Sequence, residues 1–423
     1  MTPIALLCSE PLRPQMAGIG IRYLEMARRL RAEGFEVRLL SPFQSDQDRD
    51  EVAERLVGIQ VRDTSNLLSD ANGASCIVAQ GQLVNDLIHG GVSVPLVADF
   101  YDPWLVENFH YVASMGLDPY RNDHATWLLQ LGAADLVLCS SEEQRLFYLG
   151  LLTALGRVHP HAVTSDPTLD RLIRIVPFGV PLDVEPHRPY LEPGPVGRHR
   201  ILFGGLYDWY DPWPLLEGFL QASRSGAIDA EVLFVHQPSS DVPQQLVREV
   251  KEWRRREDMQ DRVQFIDWVP SERRYDLLRD VDLLASTHRD SIETRLSLRT
   301  RFLDSLAVGC PVLTTEGGAM SRMLRSHDAG WIVPEGDAEA VAIALAEVFG
   351  SDGVRREKVD RGTKLAAQFG WSRALAPLVE YLRAPWRDES KRDFAPLLST
   401  RAPADPLGFR VRRKLRRMLR SAP

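Results

Sequence analysis

The sequence predicts an α/β protein whose two similar halves each contain a parallel sheet. Short apolar runs typical of buried strands alternate with segments of helical periodicity, first in residues 1–181 and again in residues 199–370. A proline-rich stretch at residues 182–198 separates the two series. This alternation favours sheets covered by helices on both faces, with the two halves facing one another across a cleft.

The composition excludes several classes of function. Of the 423 residues, 44% are hydrophobic and 26% charged, and the net charge of -7 argues against general nucleic-acid binding. No apolar run approaches the roughly 18 residues of a membrane span, and the amino terminus reads as a strand rather than a signal peptide. Cys8, Cys76, Cys139 and Cys310 lack metal-ligand spacing, which is typical of reduced core residues in a cytoplasmic protein.

The first half opens with a strand at residues 4–8 and a loop that ends in Gly18 and Gly20. The helix predicted after it has one apolar face, formed by Tyr23, Met26, Ala27 and Leu30. Glycines before a helix leave backbone N–H groups where an anion can bind. We therefore predict an acceptor- or phosphate-binding loop here. A simple tight turn is the alternative, because the third glycine of a dinucleotide-binding motif is missing.

An acidic and aromatic stretch follows the strand predicted at residues 95–99. It contains Asp102, Trp104, Glu107 and His110. Carboxylates accept hydrogen bonds from sugar hydroxyls, and aromatic faces pack on pyranose rings, so the stretch predicts a sugar-binding or catalytic lip. A capped helix start with a solvated acidic face is the alternative.

The other strands and helices are predicted by the same two periodicities. Strands are predicted at residues 37–41, 76–80, 136–140, 200–205, 232–236, 263–266, 283–286 and 311–315, and a strand that ends in a turn at residues 174–181. Helices are predicted at residues 126–131, 142–151, 214–222, 246–256, 337–349 and 371–383. Asp337 is the predicted N-cap of its helix.

Residues 293–318 are predicted to contain a charged loop, a short helix, a buried strand and a glycine turn. Both polar loops should open on one edge of the sheet, where ligands bind in open parallel sheets. Three guanidiniums, from Arg295, Arg299 and Arg301, and the carboxylate of Asp304 in the first helical turn favour a sugar-nucleotide site.

Together these motifs resemble GT-B fold glycosyltransferases and, within that fold, the retaining family 4 group. The resemblance covers residues 4–383 and rests on the Gly18 loop, on Phe178-Gly-Val-Pro and on Leu303-Asp-Ser-Leu-Ala-Val-Gly-Cys-Pro-Val. It implies two facing Rossmann-like domains with an interdomain cleft. The domains implied are an acceptor-side domain at 1–181, a linker at 182–198, a nucleotide-sugar-binding domain at 199–370, a C-terminal helix at 371–386 and a basic amphipathic tail at 387–423.

The resemblance assigns the ribose hydroxyls of the donor to Asp304. The family's second glutamate would stand at Leu296, so Glu293 is the nearest acid. Arg299 and Arg301 replace glycines that donate to the diphosphate in the family.

The loop at Gly205 and Tyr207 lacks the family's basic residues. We therefore predict that Arg295, Arg299 and Arg301 supply the charge that binds the diphosphate. The remaining donor-side candidates are Trp268 for the base, and Glu316, Gly317 and Gly318 for the sugar and its phosphates. A tryptophan of the core is the alternative for Trp268.

For catalysis the resemblance implies electrostatic stabilisation of the leaving diphosphate rather than a protein nucleophile. The predicted catalytic residues are Asp102, His110 and Arg299. Neither a cofactor nor a metal is expected, because no cluster of metal ligands is visible.

The predicted function is transfer of a hexosyl group from a nucleoside-diphosphate sugar to a glycan or lipid-linked acceptor in cell-envelope polysaccharide or glycolipid biosynthesis. The protein is expected in the cytoplasm, with a basic amphipathic segment from Phe409 to Arg420 that could lie on the anionic inner face of the membrane. A solvated tail is the alternative to membrane contact. A sugar-nucleotide epimerase or hydrolase and a non-catalytic sugar-nucleotide-binding partner are the alternatives to the transferase.

Overall fold

A computed structural model describes residues 2–43, 45–207, 209–236 and 244–391. The described chain forms two α/β domains, each built on one parallel sheet, so the predicted fold class is confirmed. The strand order is 3-2-1-4-5-6-7 in the N-terminal sheet, and the six strands of the C-terminal sheet repeat the 3-2-1-4-5-6 pattern. This is the doubly wound order of Rossmann-like folds.

The N-terminal domain contains seven strands and nine helices in its described residues. The strands are β1 (Ile4–Leu7), β2 (Val37–Leu40), β3 (Gln60–Arg62), β4 (Cys76–Ala79), β5 (Leu96–Asp99), β6 (Leu136–Cys139) and β7 (Ile173–Ile175). The helices are α1 (Gly18–Ala32), α2 (Asp46–Arg55), α3 (Leu67–Asn72), α4 (Leu83–His89), α5 (Trp104–Glu107), α6 (Val112–Met115), α7 (Asp118–Ala133), α8 (Glu142–Ala154) and α9 (Pro160–Ser165), with a 3-10 helix at Asn108–Tyr111.

The C-terminal domain follows the same alternation. Its strands are β8 (His199–Gly205), β9 (Ala230–His236), β10 (Val263–Asp267), β11 (Leu283–Ser286), β12 (Val312–Thr315) and β13 (Trp331–Val333). The helices are α10 (Trp213–Arg224), α11 (Gln245–Arg256), α12 (Arg274–Arg279), α13 (Ile292–Leu296), α14 (Thr300–Ala307), α15 (Gly318–His327), α16 (Ala338–Gly350), α17 (Asp352–Ala366) and α18 (Trp371–Arg383), with 3-10 helices at Ser271–Arg273 and Ala367–Phe369.

Hydrophobic periodicity explains the N-terminal core. The predicted face of α1, formed by Tyr23, Met26, Ala27 and Leu30, is fully buried against the sheet. Every residue of β1 is buried as well, because helices cover both faces of a parallel sheet. The predicted N-cap of α16 is confirmed: the Asp337 carboxylate accepts a hydrogen bond from the Ala340 N–H at 2.8 Å.

The prediction of a charged loop from residue 293 is wrong. Residues 292–296 form the short helix α13, capped by Ser291, whose hydroxyl accepts a hydrogen bond from the Thr294 N–H at 3.1 Å. Because α14 begins at Thr300, Asp304 lies in its second turn rather than its first. Two strands, β3 and β13, were not predicted.

The last helix crosses back from the C-terminal to the N-terminal domain. The Val180 N–H donates to the Phe369 carbonyl at 2.9 Å, and the Trp371 N–H donates to the Val180 carbonyl at 3.2 Å. A side chain at Gly179 would lie 2.4 Å from the Trp371 ring, so only glycine allows this crossing. Helix α18 then packs in the core beside α1 and β1.

Replacing Gly318 by alanine is expected to destabilise the fold by about 2–4 kcal/mol. Gly318 has φ +76°, and an added Cβ would lie 2.3 Å from the Thr294 carbonyl oxygen, so α13 and α15 would have to separate. Gly336 has a similar φ of +71° but nothing within 4 Å of its Cβ position. Gly336→Ala should therefore cost only about 1 kcal/mol. Equal urea midpoints for the two variants would contradict the steric argument.

The basic amphipathic segment predicted from Phe409 to Arg420 lies outside the described residues. None of the helices in the described ranges combines the length and the hydropathy that a bilayer-spanning segment requires. The four cysteines are buried and form no disulfide.

Candidate active site

A cleft lies between the carboxyl ends of the two sheets and encloses a cavity of about 410 Å³. The loops after β1 and β5 line it on the N-terminal side, and the loops after β8, β10 and β11 line it on the C-terminal side. Open parallel sheets bind ligands at this edge, where the strand order reverses.

The cavity brings together most of the binding and catalytic residues that the sequence predicts. Those that line it are Gly18, Asp102, Gly205, Tyr207, Trp268, Glu293, Arg299, Arg301 and Asp304. Glu107 lines it as well. These residues are distant in the chain, so the cluster exists only because the two domains face each other.

Three predicted residues lie on the exterior instead. Arg295 pairs with Asp290 at 2.5 Å, and 67% of its side chain is exposed, because the helical turn of α13 directs Glu293 inward and Arg295 outward. His110 is exposed at the end of the acidic stretch. Glu316 is exposed and pairs with Arg325 at 3.1 Å. Gly317 and Gly318 start α15 behind α13 and are not part of the cavity lining.

Arg299 is held in a buried ion pair beside the cavity. Its Nη2 donates to Glu293 Oε2 at 2.8 Å, with the two side chains only 5% and 1% exposed. The guanidinium also stacks over the Tyr210 ring at 4.8 Å from its centre. Since Glu293 balances its charge, Arg299 adds little net positive potential to the cavity.

Arg301 has a different environment. Its Nη1 donates to the backbone carbonyls of Phe203 at 2.9 Å and Gly205 at 3.4 Å, and the guanidinium lies 4.8 Å from the centre of the Tyr210 ring. Of the carboxylates in the described ranges, none comes within 4.0 Å of it. Arg301 therefore brings an uncompensated positive charge to the glycine loop after β8, where the sequence itself supplies no basic residue.

Asp304 is 7% exposed and already has two partners. Its Oδ1 accepts a hydrogen bond from the Tyr275 hydroxyl at 2.7 Å, and its Oδ2 lies 3.4 Å from Arg274 Nε. Burial raises the pKa of Asp304, while Arg274 opposes that shift. Sequence reasoning missed Arg274 and Tyr275, because residues of a short helix carry no motif that marks them.

Asp102 and Glu107 form a hydrogen-bonded carboxyl pair on the N-terminal side of the cleft. Burial raises the pKa of Asp102 to about 6, and burial together with the neighbouring charge of Asp102 raises the pKa of Glu107 well above its usual value. Of the two carboxyls, Asp102 is therefore the one that ionises first as the pH rises. Ser297 Oγ lies 3.4 Å from Glu107 Oε1 and 2.7 Å from Glu293 Oε1, which links the pair to the C-terminal side.

Replacing Asp102 by asparagine is expected to stabilise the protein at pH 8 but not at pH 4. A carboxyl whose pKa rises from 3.8 to about 6 on folding contributes stability below pH 4 that is lost as the pH rises through 6. The neutral amide avoids that loss, so Asp102→Asn should gain about 1–3 kcal/mol at pH 8. Urea unfolding of both proteins at the two pH values measures this; a gain that does not depend on pH would contradict it.

The N-terminus of α1 already has an anionic partner within the chain. The backbone N–H groups of Ala17 and Gly20 donate to the two carboxylate oxygens of Glu10, at 2.5 and 2.7 Å. Burial raises the pKa of Glu10, and these hydrogen bonds oppose the shift. The N–H groups that the sequence predicts for a substrate anion therefore bind Glu10, and only Gly18 of the two glycines lines the cavity.

Aromatic rings and one amide complete the cleft. Tyr207 and Trp209 stack with their rings parallel and their centres 4.6 Å apart, and Trp268 is half-buried at the cavity. Gln144 Nε2 donates to the carbonyls of Tyr101 at 2.9 Å and Leu296 at 3.0 Å, so a single side chain bridges the two domains.

Within the described ranges, no group of three or more His, Cys, Asp and Glu side chains is arranged to bind a metal ion. The charged groups that face the cavity are the arginines and carboxylates already described.

Comparison with known proteins relates this chain to sugar-transferring enzymes. Residues 215–351 match a family model described as Glycosyl transferases group 1. A phosphatidyl-myo-inositol mannosyltransferase of Mycolicibacterium smegmatis is 25% identical over 207 residues, which is 48% of this chain and 50% of that protein. The amylovoran biosynthesis glycosyltransferase AmsK of Erwinia amylovora is 30% identical over 90 residues, 21% of this chain and 22% of AmsK. The matches thus span half or less of these relatives' lengths.

Solved structures extend the likeness to nearly the whole chain. Anabaena Alr3699/HepE, crystallised with UDP and glucose, superposes with a TM-score of 0.66 over 91% of this chain and 100% of that one, at 15% identity. At that identity the likeness shows the fold alone, and it confirms the predicted GT-B arrangement of two facing Rossmann-like domains.

Proposed function

We propose that the protein transfers a hexosyl group from a nucleoside-diphosphate sugar to a glycan or lipid-linked acceptor, with retention of configuration. The premise is the match of residues 215–351 to the glycosyl transferases group 1 model, within a chain of GT-B fold. One observation carries the proposal: a single interdomain cavity has guanidinium groups on its C-terminal side and an ionisable carboxyl pair on its N-terminal side. That arrangement suits a donor with an anionic leaving group at one end and a reacting sugar at the other.

Arg301 is the residue best suited to bind the diphosphate. It is fixed by two backbone carbonyls rather than by a carboxylate, so its charge remains available to a ligand. Guanidinium groups bind phosphate oxygens with paired hydrogen bonds. Arg299 and Arg274 reinforce this side of the cleft, although Glu293 and Asp304 offset their charges.

The nucleoside would lie farther along the C-terminal side. Trp268 offers an aromatic face for a base, and Asp304 offers a carboxylate oxygen for ribose hydroxyls while Tyr275 and Arg274 keep it oriented. Release of a diphosphate leaves positive charge on the sugar. Ionised Asp102, across the cavity, can stabilise that charge, and the arginines stabilise the leaving group.

We propose that the acceptor belongs to cell-envelope polysaccharide or glycolipid biosynthesis and that the protein works at the inner face of the membrane. A relative named phosphatidyl-myo-inositol mannosyltransferase supports a lipid-linked acceptor, and one named for amylovoran biosynthesis supports a biosynthetic glycosyltransferase. The segment from Phe409 to Arg420 would supply the contact with anionic lipid.

A thermal-shift panel of UDP, GDP and dTDP tests donor binding, because a ligand that binds only the folded state raises its apparent stability. The matching sugar nucleotides are then incubated with the protein and cell-envelope extract, and the product's anomeric configuration is read by NMR. We expect one base to dominate and an α-linked product from an α-linked donor. No shift with any nucleotide would contradict the proposal.

A non-catalytic sugar-nucleotide-binding partner is the second candidate. It is favoured by the pairing of Arg299 with Glu293 and of Arg274 with Asp304, which leaves Arg301 as the unbalanced arginine of the described cavity lining. Donor binding without transfer or hydrolysis would favour this candidate over the transferase.

A further inference from the structure

A second cavity lies beside the cleft between the domains. Its volume is about 680 Å³, and it lies between α1 and α2 of the N-terminal domain and the start of the linker and α12 of the C-terminal domain. Met16, Ile21, Ser271 and Arg274 line both this cavity and the cleft, so the two spaces adjoin. A molecule reacting in the cleft could therefore extend into it.

Arginines dominate the lining of this second cavity. Among the described residues that form it, seven are arginines and five carry carboxylates. Several of these charges cancel in pairs: Arg28 lies 2.8 Å from Glu25, and Arg55 lies 2.6 Å from Glu272 across the domain boundary. The excess positive charge must come from the remaining arginines.

Three of those arginines have no carboxylate within 4.0 Å in the part of the chain that the structure describes. Arg13 Nε donates to the Gln15 carbonyl at 2.9 Å, and Arg279 Nη1 donates to the Glu185 carbonyl at 2.6 Å. Among the described residues, no hydrogen-bond partner is found for Arg29 Nε, which its neighbours enclose. The three guanidiniums therefore bring positive charge to the cavity lining without an ion-pair partner in the described ranges, and an anionic ligand would balance that charge.

Helix dipoles explain only part of this arrangement. Arg29 and Arg31 both lie in the last turn of α1, where a cation is favoured, but only Arg29 faces the cavity. Arg279 also lies in the last turn of its helix, α12, and reaches the same cavity from the other domain. The dipoles favour a cation at each helix end, but they do not explain why both arginines line one cavity without a carboxylate partner in the described ranges. An anionic ligand would explain it.

We propose that this cavity binds an oxyanion carried by the acceptor, a phosphate or carboxylate group remote from the hydroxyl that receives the sugar. The inference rests on the proposed function, because it takes the adjoining cleft as the place of transfer. Arg13 and Arg29 would contact the oxyanion from one domain and Arg279 from the other. The acceptor class is then an anionic glycan or a phosphate-linked lipid rather than a neutral sugar.

Calorimetric titration of glycerol 3-phosphate and of glucuronate tests the cavity, with the cleft saturated by the nucleoside diphosphate that binds it. We expect at least one of the two probes to bind. Arg29→Gln and Arg279→Gln should each weaken binding about tenfold or more, while Arg31→Gln, in the same helical turn as Arg29, should leave it unchanged. Neither Arg29 nor Arg279 has an ion pair with any residue of the described ranges, so both variants should fold.

The probes also identify the anion. Binding of glycerol 3-phosphate alone assigns the site to a phosphate, and binding of glucuronate alone assigns it to a carboxylate. Equal affinity in all four proteins, or no binding of either probe, would overturn the inference. Failure of every nucleotide to bind would instead overturn the proposed function, and anion binding that still depended on Arg29 and Arg279 would then assign the cavity to an anion unrelated to transfer.

Discussion

Asp99→Asn is expected to lower the free energy of unfolding by about 3–5 kcal/mol, because it leaves the buried charge of Arg22 without a counter-ion. Both side chains are 0% exposed, and Arg22 donates to Asp99 with Nε at 2.7 Å and Nη2 at 3.0 Å. The same guanidinium donates to the carbonyls of Val176 and Pro177, both at 2.9 Å. It therefore ties α1 and β5 to the chain leaving β7, close to the point where α18 returns.

Urea denaturation measures this prediction, with Glu25→Gln as the matched control. Glu25 pairs with Arg28 on the same helix, but that pair is solvent-exposed on the arginine side and should contribute less than about 1 kcal/mol. Replacing both Arg22 and Asp99 by leucine should recover much of the loss, since no lone buried charge remains. Similar urea midpoints for Asp99→Asn and Glu25→Gln would contradict the prediction, because the buried Arg22–Asp99 pair would then contribute no more to stability than the exposed pair.

Arg301→Gln is expected to weaken the affinity for a nucleoside diphosphate by about 10- to 100-fold, because the ligand loses its hydrogen bonds to a charged group. Arg301 has no carboxylate partner to leave behind, so the variant should fold normally. Arg295→Gln is the matched control. The sequence places both arginines in one basic cluster, but Arg295 faces solvent and pairs with Asp290, so its replacement should change the affinity less than twofold.

Arg299→Gln is predicted to combine two effects. It removes a guanidinium from the cavity and also strands the buried Glu293 carboxylate, so both donor affinity and stability should fall. Calorimetric titration of the three variants, each with its urea midpoint, separates binding from folding. Loss of affinity in Arg295→Gln equal to that in Arg301→Gln would contradict the assignment of the diphosphate to Arg301.

Much of the fold follows from the sequence because parallel strands are buried on both faces and so read as continuous apolar runs. Helix α18 was predicted with the bounds that it has, and the buried face of α1 was predicted residue by residue. The topology also brought Asp102, Arg299 and Arg301 to one cleft, since all three follow strands at the carboxyl edges of their sheets.

The rest of the site depends on partners that are distant in the chain. Whether an arginine faces a ligand or a carboxylate is decided by tertiary contacts: Glu293 neutralises Arg299, and the turn of α13 directs Arg295 outward. The Gly18 loop shows the same limit. Glu10 lies ten residues before Gly20 and is not part of the glycine motif. Its carboxylate nevertheless accepts hydrogen bonds from backbone N–H groups that the motif predicts for a substrate anion.

A co-crystal structure with the nucleoside diphosphate selected by thermal shift tests the central claim most directly. We predict the diphosphate in the interdomain cleft, with its oxygens about 2.7–2.9 Å from the Arg301 guanidinium. We also predict the base against Trp268 and a ribose hydroxyl hydrogen-bonded to Asp304. A nucleotide bound outside the cleft, or in the cleft with its phosphates remote from Arg301, would contradict it.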